Sequence, residues 1–106
     1  MKTTGWYAWV DQMPPEPDDL RIFGEVCVVN PGIQALLYSR EPQGINPNIL
    51  LLDLYLFQQP GQWPEVATWV QARYDKVLPP NDPRYTSVEI FHDGASIARI
   101  KVDVVH

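Results

Sequence analysis

The chain has 106 residues, room for one hydrophobic core and a single domain spanning residues 1–106. Its composition, 45% hydrophobic and 20% charged, is that of an ordinary globular protein, and a net charge of −5 argues against nucleic acid as a partner, because an acidic surface repels phosphate backbones. One cysteine rules out an intrachain disulfide, and no apolar run is long enough for a membrane-spanning helix.

The pattern of prolines organises everything that follows. Proline has no amide hydrogen to give a sheet ladder, and the eleven prolines of this chain all fall between short runs rich in Val, Ile, Leu, Trp and Tyr. Trp6 to Asp11 reads as the first strand. A loop with Pro14, Pro15, Glu16, Pro17, Asp18 and Asp19 follows, with the extended geometry that prolines favour and that a docking segment also uses. Its acidic residues lack the spacing and central glycine of a calcium loop.

Leu20 to Val29 is the second strand. Ile22, Gly24, Val26 and Val28 share one face, and Glu25 marks the other as the wetter one. Asn30-Pro31-Gly32 reverses the chain, with Gly32 expected to supply a positive φ. Ile33 to Arg40 is predicted as the third strand rather than a short helix capped by Asn30. Asn48 to Gln59 is the clearest element, with Leu50, Leu52, Leu54 and Leu56 on a core face and Leu51, Asp53, Tyr55 and Phe57 opposite.

Pro64 to Leu78 carries two readings. Val66, Trp69, Val70, Tyr74 and Val77 form a helical stripe, which would make the fold α+β. The same residue types favour strands, and Trp63 is a poor N-cap, so a strand is predicted. Thr86 to Phe91 and Ser96 to Val105 form a hairpin about Asp93-Gly94. Pairing Glu89 with Arg99, Ser87 with Lys101 and Phe91 with Ile97 requires a three-residue Asp93-Gly94-Ala95 loop.

Seven strands with turns every 8–12 residues resemble an immunoglobulin-like architecture, so the expected fold is all-β, a small antiparallel β-sandwich. The cysteine pair and central tryptophan of antibody domains are missing, and the architecture by itself carries no activity.

The sequence holds no catalytic motif, cofactor motif or metal cluster. Asp53 lies mid-strand, where a buried carboxylate needs partners, and a cleft joining Asp53, Glu89 and His92 would suit proton transfer in an enzyme or ligand-binding protein. The simpler reading leaves Asp53 on a solvated face or pairs it with Arg73 or Arg99. His92 reads as a solvated turn residue, and His92, His106 and Cys27 have no zinc-ligand spacing. Cys27 reads as a partly buried structural thiol.

Four tryptophans and five tyrosines are more than a domain this small can hide. Tyr55, Phe57, Trp69 and Arg73 are therefore expected to form an adhesive sheet face, since such residues dominate interface hot spots. The favoured expectation is a non-catalytic domain without cofactor that binds a protein partner or forms a homo-oligomer, through this aromatic sheet face or through an edge strand. Neither nucleic acid nor a membrane is expected as a partner. The unpaired cysteine and the lack of a signal-peptide pattern point to the cytoplasm, although removal of a leader would expose the same N-terminus.

Overall fold

The computed structural model describes residues 1–12, 17–80 and 84–105. Seven strands are present: β1 (Thr3–Asp11), β2 (Asp18–Val28), β3 (Ile33–Ser39), β4 (Ile49–Gln58), β5 (Thr68–Leu78), β6 (Ser87–His92) and β7 (Ala95–Val105). Among the described residues there is no helix, and none long and apolar enough to cross a membrane. Pro14, Pro15 and Glu16 lie outside the described residues, as does His106, while Asp18 and Asp19 belong to β2 rather than to a loop.

The strands form one mixed sheet in the order β3-β4-β6-β7-β1-β2-β5. Pairs β3/β4, β6/β7, β1/β2 and β2/β5 are antiparallel; β4/β6 and β1/β7 are parallel. The outermost strands β3 and β5 run in the same direction and approach within 8 Å between Cα atoms without forming a ladder, so the sheet is nearly closed as a barrel. The expected all-antiparallel two-sheet sandwich is thereby corrected. The strands are long (β2, β5 and β7 have eleven residues each), and right-handed twist coils such a sheet around its own core instead of splitting it.

The helical alternative for residues 64–78 does not form. β2 offers β5 a full ladder from Val28↔Thr68 to Asp18↔Leu78, and the strand turns Ala72 and Leu78 into the core. The core runs through Leu20, Ile22 and Val26 of β2, Leu50, Leu52 and Leu54 of β4, and Val88 and Ile90 of β6. These are the inward faces that the period-two pattern marks, and Leu56 packs against them partly buried.

Two irregularities shape the barrel. β1 starts earlier than its first aromatic residue because Gly5, at φ +65°, opens a bulge: Gly5 and Trp6 together oppose Gly24 of β2. The bulge turns Trp6 onto Gly24, where any Cβ would lie 2.4 Å from the indole. In the β6–β7 hairpin the expected pairs Ser87↔Lys101, Val88↔Ile100, Glu89↔Arg99 and Ile90↔Ala98 form, but Phe91 pairs with Ser96 and not with Ile97. The turn is the two-residue Asp93-Gly94, both at positive φ, and the extra residue is absorbed as a bulge at Ile97 instead of lengthening the loop.

Gly32 also departs from expectation. It is not among the positive-φ residues; its requirement is steric, because a Cβ there would sit 2.3 Å from the Trp63 indole stacked on it.

Candidate functional site

The outward positions of β3 and β4 carry exposed aromatic side chains on neighbouring strands. Antiparallel register sets Tyr38 opposite Asp53, Leu36 opposite Tyr55 and Gln34 opposite Phe57. Alternation that sends Leu50, Leu52 and Leu54 inward sends Leu51, Asp53, Tyr55 and Phe57 out. Tyr38, Tyr55 and Phe57 each remain more than half exposed, and the two tyrosine rings meet edge-on at 5.7 Å.

Of the four expected contact residues, Tyr55 and Phe57 therefore share a strand. Trp69 and Arg73 lie on outward positions of β5, with β3 and the open β3–β5 seam between the two pairs. Trp69 is exposed opposite Cys27, which is half-buried, and Arg73 is held by Asp75 through a 2.9 Å hydrogen bond. A further aromatic group, Tyr7, Trp9 and Phe23, decorates β1 and β2, with centroids 5.1 to 6.4 Å apart.

Asp53, Glu89 and His92 are each engaged with different partners. The Arg40 guanidinium lies 3.4 Å from the Asp53 carboxylate and 4.3 Å above the Phe91 ring, so Asp53 is neutralised by Arg40 and not by Arg73 or Arg99. Glu89 accepts a 2.7 Å hydrogen bond from the Ser96 hydroxyl and stands opposite Arg99. His92 is not a solvated turn residue: it closes β6, and its Nδ1 donates to the Leu54 carbonyl at 3.1 Å. Its Nε2 lies 3.3 Å from Asp93. No three His, Cys, Asp or Glu side chains among the described residues are grouped to hold a metal ion.

Concavity occurs elsewhere, at the loop 40–48 joining β3 to β4. One depression of about 250 Å³ is lined by Gln43, Gly44, Asn46, Pro47, Ile49 and Tyr85. A smaller one of about 150 Å³ adjoins it and reaches Ile45, Leu51 and Glu89. The loop owes its shape to Gln43, whose amide behaves as an additional strand residue. Its Oε1 accepts from Leu51 N–H at 2.8 Å, and its Nε2 donates to the carbonyls of Arg40 and Leu51 at 2.7 and 2.8 Å. Asn46 adds an Asx turn through Asn48 N–H at 2.9 Å. At the tip Ile45 is fully exposed.

Tyr38, Gln43 and Ile45 escaped the sequence reading. Alternation about Leu37 places Tyr38 outward. An apolar residue isolated in a loop of Pro, Gln, Gly and Asn marks Ile45. Gln43 left no local sign, because its role depends on folding the loop back so that its amide meets the Leu51 backbone, eight residues on, as well as the Arg40 carbonyl.

Set against known proteins, the chain matches no family model, no curated protein and no solved structure.

Proposed function

We propose that the chain is a non-catalytic protein-interaction domain whose contact surface is the outer β3–β4 face, extended across the seam to Trp69 on β5. The observation that carries this reading is the trio Tyr38, Tyr55 and Phe57, each over half exposed and side by side on paired strands. Large aromatic side chains on rigid strands make a pre-organised contact surface that loses little entropy on binding. Electrostatics favours the same face, since Asp53 is already paired with Arg40 and leaves no strong local field to exclude an uncharged partner. An unpaired, half-buried thiol at Cys27 supports residence in a reducing compartment, the cytoplasm.

Photo-crosslinking tests the proposal. A benzophenone side chain at position 55 or 57, in cells expressing the chain, is expected to yield protein adducts, and one at Lys101 on β7 is not. Equal yields at Lys101, or no adduct at 55 and 57, would refute it. A Tyr55→Ser, Phe57→Ser double variant should fold with stability within about 1 kcal/mol of the parent, as exposed substitutions do.

A further inference from the structure

We infer that the seam between β3 and β5 receives an extended peptide segment of the partner protein, which adds to the sheet as a strand antiparallel to both. The inference rests on the interaction reading above and names the chemistry of the partner at its border.

Backbone pairing identifies the occupant. Arg40 N–H donates to Leu51 O and Gln59 N–H to Gly32 O, which fixes the parity of the β3/β4 ladder: even-numbered residues of β3 bond to β4. The odd-numbered residues, Ala35 and Leu37 among them, therefore turn their N–H and C=O groups toward β5. Across the seam, Cys27 N–H donates to Lys2 O, so odd-numbered residues of β2 bond to β1 and even-numbered ones to β5. That leaves the odd-numbered residues of β5, Gln71 and Arg73 among them, facing β3. Among the described residues no ladder joins the two strands. A row of alternating donors and acceptors at strand spacing is complementary to the backbone of a further strand. Ala35 and Leu37 are only 7% and 6% exposed, so water reaches their unpaired groups poorly and a peptide ladder gains more there than at an open edge.

Strand direction and edge composition agree. β3 and β5 run the same way, so one incoming strand is antiparallel to both and meets the better-bonded geometry on each side. Edges that must stay free usually carry proline, charge or a bulge. β3 has neither proline nor charge, and no bulge interrupts its ladder with β4 or that of β5 with β2. Arg73 on β5 is neutralised by Asp75 at 2.9 Å. Two strand spacings take about 9.6 Å, so Cα atoms now within 8 Å must part by about 2 Å or more, and parting them breaks no ladder.

The incoming side chains alternate. Those turned inward lie beside the buried Ala35, Leu37 and Ala72, which suits residues of about valine size; those turned outward lie among Leu36, Tyr38 and Trp69, which suits uncharged ones. The net charge of −5 favours basic residues at the ends of the segment.

Amide hydrogen exchange on the isotope-labelled chain, resolved by NMR, is the test. Without peptide, Ala35, Leu37 and Gln71 should exchange about tenfold or more faster than Leu36, Tyr38 and Ala72. Equal protection of the two sets would mean a closed seam and would overturn the inference. The probe is a peptide of alternating valine and threonine with a lysine at each end, about nine residues long, enough to span β3. At about 1 mM it is expected to slow exchange of the first set about tenfold, the effect of a dissociation constant of about 0.1 mM. Gln71→Pro sets a ring where a seam-facing N–H stood, leaves the β2 ladder alone, and should weaken the peptide about tenfold or more; Gln71→Ala should not. Exchange unchanged by the peptide, or equal affinity in Gln71→Pro, overturns the inference. Protection that rises with the chain's own concentration assigns the seam to a second copy and does the same. Adducts to other proteins at positions 55 and 57 beside unprotected seam amides would overturn the inference alone, whereas missing adducts would remove the reading beneath it.

Discussion

Replacing Gln43 tests whether one side chain holds the β3–β4 loop in shape. Its amide satisfies the Leu51 N–H and shares the Leu51 and Arg40 carbonyls, at 2.7 to 2.8 Å, in partly buried surroundings. Gln43→Ala leaves the Leu51 N–H without this acceptor. An unsatisfied, partly buried donor costs about 1–3 kcal/mol, and the weakened carbonyl contacts are cheaper because Arg40 N–H still donates to Leu51 O at 2.9 Å. We expect a loss of about 2 kcal/mol, a fall in melting temperature on the order of 10 °C for a domain of this size, and faster hydrogen exchange at the Leu51 amide. Gln43→Glu sharpens the test. It keeps the acceptor for Leu51 N–H but sets a second oxygen against two carbonyls, which favours the protonated carboxyl and raises its folded-state pKa above the unfolded value of about 4.3. The folded state then binds more protons, so stability declines as pH rises from the unfolded pKa through the raised folded one. Gln43→Glu should therefore approach the parent below about pH 4 and differ most at neutral pH. Urea titrations at pH 3.5 and 7 with amide exchange read both effects. A Gln43→Ala variant within about 0.5 kcal/mol of the parent, with Leu51 still protected, would refute the surrogate-strand account.

Gly32→Ala should displace the Trp63 indole, since the added Cβ would sit 2.3 Å from the ring, and should shift the NMR signal of the Trp63 Nε1–H that donates to Gln59 O at 3.0 Å. The ring is partly exposed and can move, so the expected stability loss is about 1 kcal/mol, and an unmoved indole signal would count against the stacking. Arg84→Ala removes the guanidinium 3.4 Å from the Asp18 carboxylate, which is 9% exposed where Arg84 is 45% exposed. Solvent screening on the arginine side limits the coupling with Asp18→Asn to about 1 kcal/mol, and a double-mutant cycle that is additive within about 0.3 kcal/mol would dismiss the pair.

What was legible in the sequence follows from what period-two patterning encodes. Alternation states which face of a strand is buried, and so the leucines of β4 and the inward set of β2 could be read directly, whereas residues 64–78 fit a helical stripe as well, and only residue type and the poor N-cap at Trp63 favour a strand there. It does not state which strands pair. β4 pairs with β6, and β7 with β1, across long separations and in parallel, while the sequence neighbours β2 and β3 do not pair. Local charge matching found the β6–β7 register, because Glu89↔Arg99 is a contact between residues ten apart. It failed two residues nearer the turn, where a bulge at Ile97 and a longer loop are equally compatible with that pairing. The exposed aromatics were foreseen as a class from their number. Their division between β4 and β5, on either side of β3, depends on strand order and so was not.

Strand order also explains why the proposed surface sits where it does. In a chain of alternating hairpins each strand would pair with its sequence neighbours, and the short loops at both ends would be tight and similar. Here the chain passes from β4 past β3 and the β3–β5 seam into β5, at the opposite end of the sheet order, before it returns as β6 parallel to β4. β3 keeps one paired edge, and the loop from β3 to β4 is held by the Gln43 bonds to Leu51, by the Thr86 amide on the Asn48 carbonyl at 2.8 Å, and by Tyr85 beside its larger hollow. A connection of this kind is ordinarily polar and mobile. This one is pinned by Gln43, whose amide bonds to Arg40 and Leu51 stand in for a strand's ladder, and it holds Ile45 exposed at its tip. The shape of the loop therefore rests on one side chain, which is why the Gln43 substitutions report on the edge of the proposed surface as well as on stability.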